Sequence, residues 1–300
     1  MTAPAIGIIG GSGLYQMEGL TEPSEIKIKT PFGAPSDVVL GGKLAGRRVY
    51  FLPRHGRGHR IMPHELNHRA NVYALRSLNV RWIICVTAVG SLQPQYKPRD
   101  IVLPSQFFDR MSRRTEHTFF GNGIVAHVGF ADPVSADLRA LLAAEGRALG
   151  HTIHDGGTYV NMDGPAFSTR AESETHRKLG FDVIGMTNLA EAKLAREAEI
   201  ALATLAMITD YDCWKTDEEP VNAATVVGHL TANAETAKAI IARVVPRIPT
   251  VPDWPEHCSL DNALITDRSL WPQTTVKKLS VILGRLVEGE KGPSRPKKRR

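Results

Sequence analysis

The chain has 300 residues, of which 42% are hydrophobic and 23% charged, a composition typical of a soluble globular protein with a large core. Its formal net charge is +6, but the last ten residues hold six basic side chains and no acid, so the remaining chain is neutral and lacks the basic patch of a nucleic-acid-binding protein. No run approaches the roughly eighteen apolar residues of a membrane span, and no basic region precedes the short apolar run at the N-terminus, which predicts a cytoplasmic protein with neither a nucleic-acid nor a membrane partner.

Apolar runs rich in β-forming residues alternate with segments of helical periodicity along most of the chain. The predicted strands lie, in chain order, in AIGIIGG, RRVYFLPRHG, VRWIICVTAVGSL, RDIVLPSQF, TYVNMDGP, FDVIGMT and LATLAMITD. The predicted helices lie in NHRANVYALRSL, SADLRALLAAEGRALG, TRAESETHRKLG, AEAKLAREAE and AATVVGHLTANAETAKAIIARVV. This alternation predicts an α/β fold, a single three-layer domain with a mixed, largely parallel central sheet flanked by helices.

No internal repeat and no Gly/Ser-rich linker divides the chain, so residues 1–248 are predicted to form one catalytic domain. Residues 249–290 are predicted to be an irregular C-terminal extension that ends in one short helix. Residues 291–300, which are rich in Pro, Lys and Arg, are predicted to be a disordered basic tail. The three cysteines are widely spaced and form no CxxC pair, which favours reduced thiols over a disulfide framework or a zinc knuckle.

The first predicted strand is followed by a glycine-rich turn, GIIGGSG, whose backbone amides could be presented to an anion. The turn matches neither the dinucleotide pattern GxGxxG nor the P-loop. A phosphate-binding turn and a merely tight turn both remain open at this point.

The segment HELNH, residues 64–68, matches the HExxH motif of zinc hydrolases. On one helix its two histidines would lie one turn apart and bind zinc, with the glutamate as general base. Pro63 places His64 in a first helical turn, and no glutamate follows before Glu116 to act as a nearby third ligand. A zinc-dependent hydrolase is therefore kept as a remote alternative, and no metal site is predicted.

Polar residues follow several of the predicted strands, where ligands of open α/β sheets bind. Arg54 and His55 follow one strand and suit an oxyanion or phosphate, although Arg54 could also be a lone surface cation. Thr87 and Ala88 follow the next. Met186 and Thr187 follow another but alone would be interpreted as core and helix cap. Phe167, beyond the Gly-Pro turn of NMDGPAFSTRAES, is either a core residue or a stacking face for a base.

Asp210 and Asp212 stand at the end of the last predicted strand, LATLAMITD. In an extended chain residues i and i+2 face the same side, so both carboxylates could contact one ligand. A solvated turn and an Asp-x-Asp metal site are the alternatives.

Seven segments, taken in order, carry a resemblance to a known family: IGIIGGSGL, TPFGAPSD, RHGRGHRIMPHELNHRAN, TAVGSL, DGPAFSTRAES, GMTNLAEAKLAREAEI and MITDYDCWK. Over roughly residues 6 to 245 the chain resembles the trimeric purine nucleoside phosphorylase family, in particular its members that act on methylthioadenosine. The resemblance implies that inorganic phosphate cleaves S-methyl-5′-thioadenosine to adenine and 5-(methylthio)ribose 1-phosphate, in purine and methionine salvage. It also implies a nucleoside phosphorylase-like fold, a homotrimer, and no metal or organic cofactor.

The resemblance also assigns roles to individual residues. It implies a phosphate cradle made of Ser12, Arg54, His55, Thr87, Ala88 and Thr187. It places Met186 against the ribose, Phe167 beside sugar and base, and the adenine at Asp210 and Asp212. We expect Asp210, Asp212 and His55 to be the catalytic residues, with a protonated Asp210 donating to purine N7 while bound phosphate supports the cationic sugar and attacks it.

Base preference is implied by three positions. Family members that prefer guanine and hypoxanthine have a glutamate where this chain has Ser168, an asparagine at Asp210 and a neutral residue at Asp212. A carboxylate accepts from the 6-amino group of adenine but meets a 6-oxo group acceptor to acceptor. A phosphorylase of 6-oxopurine nucleosides or methylthioinosine is the alternative.

The pocket for the methylthio group is implied by AATVVGHL, in which Ala223, Val226 and Val227 match aliphatic positions of the family. Ala223 is smaller than the usual valine, so some tolerance toward other 5′ groups is expected. His127 matches a residue that reaches into the site of the neighbouring subunit.

Overall fold

The structure of the protein is a computed structural model that describes residues 3–11, 14, 16–112, 114–216 and 223–289, with the backbone alone for residues 114 and 223–231. Within these residues, eleven strands form one sheet: β1 (Ala5–Gly10), β2 (Thr21–Ile26), β3 (Val39–Leu44), β4 (Arg47–Pro53), β5 (Val80–Ser91), β6 (Ile101–Leu103), β7 (Gln106–Arg110), β8 (Ile153–Asp155), β9 (Thr158–Met162), β10 (Val183–Gly185) and β11 (Ala201–Asp210). The α-helices are α1 (His68–Ser77), α2 (Ala136–Ala148), α3 (Arg170–Lys178), α4 (Asn188–Glu197), α5 (Ala223–Val244), α6 (Gln273–Lys278) and α7 (Ser280–Val287).

The sheet is mixed and largely parallel, as predicted. Along its main path the strand order is β2, β3, β4, β1, β5, β10, β9, β7. Three further strands, β11, β6 and β8, extend in that order from the edge of β5 that β1 and β10 leave free. β1 runs parallel to β4 and β5, and β5 runs parallel to β11. The β2, β3 and β4 meander and the β10 to β5 pair are antiparallel.

β5 lies at the centre of the sheet because it is long enough to pair with three other strands. One edge of β5 pairs with β1 as far as Cys85 and with β10 from Gly90 onward. The other edge pairs with β11, which ends with Asp210 opposite Gly90. The carboxyl ends of β1, β10 and β11 therefore meet around residues 86–90 of β5.

The side chains of β5 alternate between two hydrophobic layers, as a strand buried on both faces requires. Trp82 and Ile84 pack in one layer with the apolar faces of α2 and α5. Ile83 and Cys85 pack in the other layer with α1, α4 and α7. The sheet therefore lies between two helical layers, which confirms the predicted three-layer α/β fold.

The five predicted helices and seven predicted strand regions are confirmed, but three strands were missed. β2 contains a proline and is largely exposed, β3 contains two adjacent glycines, and β8 has three residues. None of these offers the apolar alternation from which a strand is predicted.

The C-terminal extension is more regular than predicted. It contains two helices, α6 and α7, which meet at Leu279, where the sequence predicts one short helix. Leu279, Ile282 and Leu283 are buried in the same layer as α1 and α4. The boundary at residue 248 stays a prediction, and the basic tail at 291–300 lies outside the described residues. None of the helices in the described part of the chain combines the length and apolar character that a membrane crossing requires.

Leu283→Ala tests whether α7 belongs to the core. It should lower the free energy of unfolding by about 2–5 kcal/mol, the usual cost of a cavity at a buried leucine, because Leu283 is 0% exposed. Leu270→Ala is the control, since that side chain is 70% exposed, and it should change stability by less than about 0.5 kcal/mol. Urea unfolding at one protein concentration measures both, and equal stability of the two variants would show that α7 adds nothing to the core.

Candidate functional site

Arg54, the first residue after β4, lies beneath the meeting point of the strands rather than on the surface. Its side chain is 3% exposed and that of Glu191, on α4, is 1% exposed. Nε and Nη2 of Arg54 donate to the two carboxylate oxygens of Glu191 at 2.5 and 2.9 Å. Nη1 donates to the carbonyl of Val86 at 2.9 Å. The alternative of a lone surface cation is therefore wrong.

Glu191 was not identified from the sequence, although an acid within the alanine- and leucine-rich run of α4 is a signal that could have revealed it. Besides Arg54, it accepts from Asn188 Nδ2 at 3.2 Å and from Cys85 Sγ at 3.3 Å. Thr204 in turn donates to Asn188 Oδ1 at 2.8 Å. Burial opposes the charge of Glu191, but the Arg54 guanidinium outweighs it and lowers the pKa of the carboxyl. The pair is thus ionised and held from several sides.

The edge of β5 between β1 and β10 is open at residues 86–89, where neither strand pairs with it. Val86 turns its carbonyl to this edge, where it accepts from Arg54. Alternate residues of a strand face the same edge, so Ala88 turns its N–H to this gap as well. Thr87 is buried. Because β5 continues to Ser91, Thr87 and Ala88 lie within the strand, not at its end as the sequence indicated.

Thr187, the residue before α4, is buried. Thr187 and Thr87 both lie close to Tyr159 of β9. Burial raises the pKa of Tyr159, and the nearby Thr87 side chain and Thr187 backbone oppose the shift. That hydroxyl fills the space beside Gly185, where a Cβ would lie 1.9 Å from it. The sequence contained no signal for the role of Tyr159.

His55 is neutral at pH 7. Burial, followed by the charge of Arg54, lowers its pKa to about 4. Its Nδ1 donates to the carbonyl of Ile61 at 2.8 Å, and its ring stacks on His59 at 4.4 Å. Because Nδ1 carries the proton, Nε2 is left with a lone pair that can accept from a protonated oxyanion.

Asp210 ends β11 and is buried, with an exposed fraction of 8%. Thr209 Oγ1 donates to its Oδ2 at 2.7 Å, and the backbone N–H of Asp212 donates to its Oδ1 at 2.7 Å. Burial raises the pKa of Asp210 to about 6. A Cβ at Gly90 would lie 3.0 Å from Asp210 Oδ1, so the facing position accommodates only glycine without a shift.

Asp212 reaches the site by a different geometry from the one predicted. It lies beyond the strand in a left-handed turn with φ of 54°, so the two acids are not successive residues on one face of an extended chain. Asp212 is 7% exposed, which makes the alternative of a solvated turn wrong. Burial raises its pKa, while Ser168, Ser173 and His176 oppose the shift. Its Oδ2 is buried and accepts no hydrogen bond from the described residues.

Of the residues that the resemblance assigns to the sugar, Met186 follows β10 and Phe167 precedes α3. Met186 Sδ would be 2.6 Å from a Cβ at Gly164, which has φ of 69°. Phe167 is 46% exposed, and Ser168 Oγ lies 3.9 Å from Met162 Sδ. The predicted residue Ser12 lies outside the described residues, as do the side chains of Ala223, Val226 and Val227.

A small cavity opens beside Met186. It has a volume of about 20 Å³ and is lined by Pro63, His64, Leu66, His68, Met111, Glu116, His117, Asp163 and Met186. A cavity of this size holds about one water molecule. The environment of Met186 is thus partly polar, and the sequence analysis did not predict this.

The HELNH segment does not form one helix. His64 belongs to a 3₁₀ helix, Pro63–Glu65, and His68 begins α1 after a break at Leu66 and Asn67. The Glu65 carboxylate accepts from the backbone N–H of Met62 at 3.0 Å. Across the residues that the structure describes, no three His, Cys, Asp or Glu side chains are grouped to hold a metal ion. The helical geometry of the zinc alternative is therefore wrong.

His127 lies on an exposed segment next to the C-terminal extension. Its backbone N–H donates to the carbonyl of Ala263 at 2.8 Å, and Ala126 forms a β-bridge with Leu264. The side chains of Val125 and Ile265 are exposed beside it. Two exposed apolar side chains thus lie near His127.

Glu191→Gln should lower the free energy of unfolding by about 3–5 kcal/mol, because it leaves the Arg54 charge buried without its partner. The double variant Arg54→Met/Glu191→Leu should recover most of that loss, since it removes both charges. Urea unfolding of the three proteins measures the difference. A loss below about 1 kcal/mol for Glu191→Gln would contradict the importance of the pair.

Comparison with known proteins gives the family. Residues 5–246 match the model of the Phosphorylase superfamily. The S-methyl-5′-thioadenosine phosphorylase of Geobacter sulfurreducens is 51% identical over 94% of this chain and 99% of its own length. The enzyme of the same name from Gloeobacter violaceus is 52% identical over 93% of this chain and 95% of its own length.

Solved structures agree with the sequence relatives. A methylthioadenosine phosphorylase from an Antarctic soil metagenomic library has a TM-score of 0.89 and 46% identity, covering 94% of this chain and 100% of its own. An adenosine/methylthioadenosine phosphorylase from Schistosoma mansoni, solved as a variant in complex with adenine, has a TM-score of 0.79 and 32% identity over 94% of this chain. The residues matched by the family model and these identities show that the chain belongs to the Phosphorylase superfamily.

Proposed function

We propose that the protein catalyses the phosphorolysis of S-methyl-5′-thioadenosine to adenine and 5-(methylthio)ribose 1-phosphate, in purine and methionine salvage. The observation that carries this proposal is the buried pair of acids, Asp210 and Asp212, at the end of the central sheet. Relatives about half identical over nearly their whole length bear the name of this activity.

The leaving base is held by the two acids in different ways. Asp210, whose pKa burial raises to about 6, donates a proton to purine N7 as the glycosidic bond breaks. Asp212 Oδ2, which has no hydrogen-bond partner among the described residues, accepts from the exocyclic 6-amino group. A 6-oxo purine would bring an oxygen to this acceptor, so adenine is preferred.

Phosphate binds at the end of residues 86–90 that lies away from Asp210. Arg54 lies beneath the gap in β5, Ala88 presents its N–H, and Ser12, Thr87 and Thr187 contribute hydroxyls. The neutral His55 accepts a proton or hydrogen bond through Nε2. Bound phosphate faces the anomeric carbon, where its charge supports the oxocarbenium-like sugar before its oxygen attacks. Phosphate is a co-substrate, and no metal or organic cofactor takes part.

The sugar lies between these ends, against Met186 and Phe167. Ala223, Val226 and Val227 form the apolar pocket for the 5′ methylthio group. Because Ala223 is smaller than the valine usual in the family, adenosine should be a slower but real substrate. An apolar pocket rejects a small polar isostere by only about a hundredfold.

The functional unit is a homotrimer in the cytoplasm, with His127 completing the site of the next subunit. The exposed apolar side chains beside His127, Val125 and Ile265, support this assembly because exposed apolar clusters mark interfaces. Sedimentation of a fully active monomer would contradict it.

Adenine release from methylthioadenosine, with and without phosphate, tests the function. We expect release only when phosphate is present, because phosphate is the nucleophile, and no effect of EDTA. Methylthioinosine is the comparison substrate. Faster cleavage of methylthioinosine would support the 6-oxopurine alternative, and adenine release in phosphate-free buffer would contradict phosphorolysis.

Asp210→Asn should lower kcat by about a hundred- to a thousandfold with little change in KM, because its proton is needed mainly in the transition state. In the wild type, kcat/KM should fall as pH rises through about 6, where free Asp210 loses its proton. The pH profile of Asp210→Asn should lack this fall in kcat/KM. Rates near those of the wild type would exclude Asp210 as the acid.

Asp212→Asn should instead change base preference. Asparagine tolerates the left-handed backbone of this position and offers an amide donor to a 6-oxo group. The preference for methylthioadenosine over methylthioinosine should fall by about ten- to a hundredfold. The ratio of kcat/KM for the two nucleosides measures this, and an unchanged ratio would place Asp212 outside base recognition.

A further inference from the structure

Thr209 is the residue at which the pairing of β11 with β5 shifts. Ile208 lies opposite Val89 and Asp210 lies opposite Gly90, so Thr209 is an extra residue between two pairs. Such a bulge re-aims side chains that would otherwise alternate between the two faces of a sheet. It allows the Thr209 hydroxyl to reach the carboxylate of its own neighbour, Asp210.

The hydroxyl of Thr209 has two acceptors within reach and one proton to give. Oγ1 lies 2.7 Å from Asp210 Oδ2 and 3.3 Å from the carbonyl oxygen of Val89. Thr209 is buried, so no bulk water competes for this proton. A carboxylate is a stronger acceptor than either a carboxylic acid or a peptide carbonyl. The preferred acceptor therefore depends on whether Asp210 carries a proton.

We propose that Thr209 is a positioning residue whose hydroxyl donates to the Val89 carbonyl while Asp210 is protonated and to Asp210 Oδ2 once the proton has passed to purine N7. The proposal deepens the proposed function and rests on it for the identity of the base. In this step the O–H bond of Asp210 breaks, an N–H bond forms at N7, and the electron pair stays on the carboxylate. The proton of Thr209 stays on Thr209 throughout.

The consequence is selective support of the transition state. The hydrogen bond from Thr209 strengthens as negative charge appears on Asp210, and only interactions that strengthen in this way accelerate the chemical step. Among the residues that the structure describes, few charged or titratable groups face Asp210. Asp212 raises its pKa by repulsion, and His176 of α3 lies beyond Asp212. β5 contributes only the Val89 carbonyl and Gly90 here.

Two matched pairs of variants test the proposal. Threonine and valine have nearly the same shape, and serine differs from alanine only by its hydroxyl group, so each pair differs chiefly by the hydroxyl. Thr209→Val and Thr209→Ala should lower kcat for methylthioadenosine about tenfold, equivalent to about 1.4 kcal/mol, with KM nearly unchanged. Thr209→Ser should keep most of the rate. In an Asp210→Asn background, removal of the hydroxyl should have no further effect on kcat, which a purely structural role would not produce.

Infrared titration of the protonated carboxyl band gives a readout that needs no substrate. The band that disappears in Asp210→Asn should persist to higher pH in Thr209→Val and Thr209→Ala, by about one pH unit, but not in Thr209→Ser. An unchanged titration, or equal losses of kcat with and without Asp210, would overturn the proposal. If the wild type releases no adenine from methylthioadenosine, the proposed function fails, and the titration still decides the role of Thr209.

Discussion

The ion pair between Arg54 and Glu191 joins the elements on which the site depends. Arg54 follows β4, receives its counter-charge from α4, and donates to the backbone of β5 at Val86. Removing two charges from water costs several kcal/mol each, and the hydrogen bonds that Arg54 makes to Glu191 and Val86 offset this cost. The pair therefore fixes the relative positions of two strands and a helix at the point where phosphate is proposed to bind.

β5 connects the two halves of the proposed chemistry. Thr87 and Ala88 lie at the phosphate end, and Gly90 lies against Asp210 at the base end. A strand rises about 3.3 Å per residue, so the two ends are about 7–10 Å apart along a rigid backbone. The proposed phosphate site and the proposed acid for the leaving group are held at this separation by one continuous strand, without a hinge between them.

The sequence predicted the class of fold, most of its elements and the acids at the end of β11, because these depend on local periodicity and on residue type. The partnership of Arg54 with Glu191 could not be predicted, since it joins residues 137 apart in the chain. The left-handed turn at Asp212 and the bulge at Thr209 also escaped prediction. Both are set by how β11 meets β5, and neither changes the residue pattern along the strand.

The gap in the sheet beside residues 86–89 has a consequence for how this protein tolerates change. The N–H group that Ala88 turns to the gap belongs to the main chain, so it survives almost every replacement of the side chain. Only proline removes a backbone donor. If phosphate binds here as proposed, variation of the side chain at this position changes the surroundings of the anion and its affinity, while the main-chain donor itself is retained.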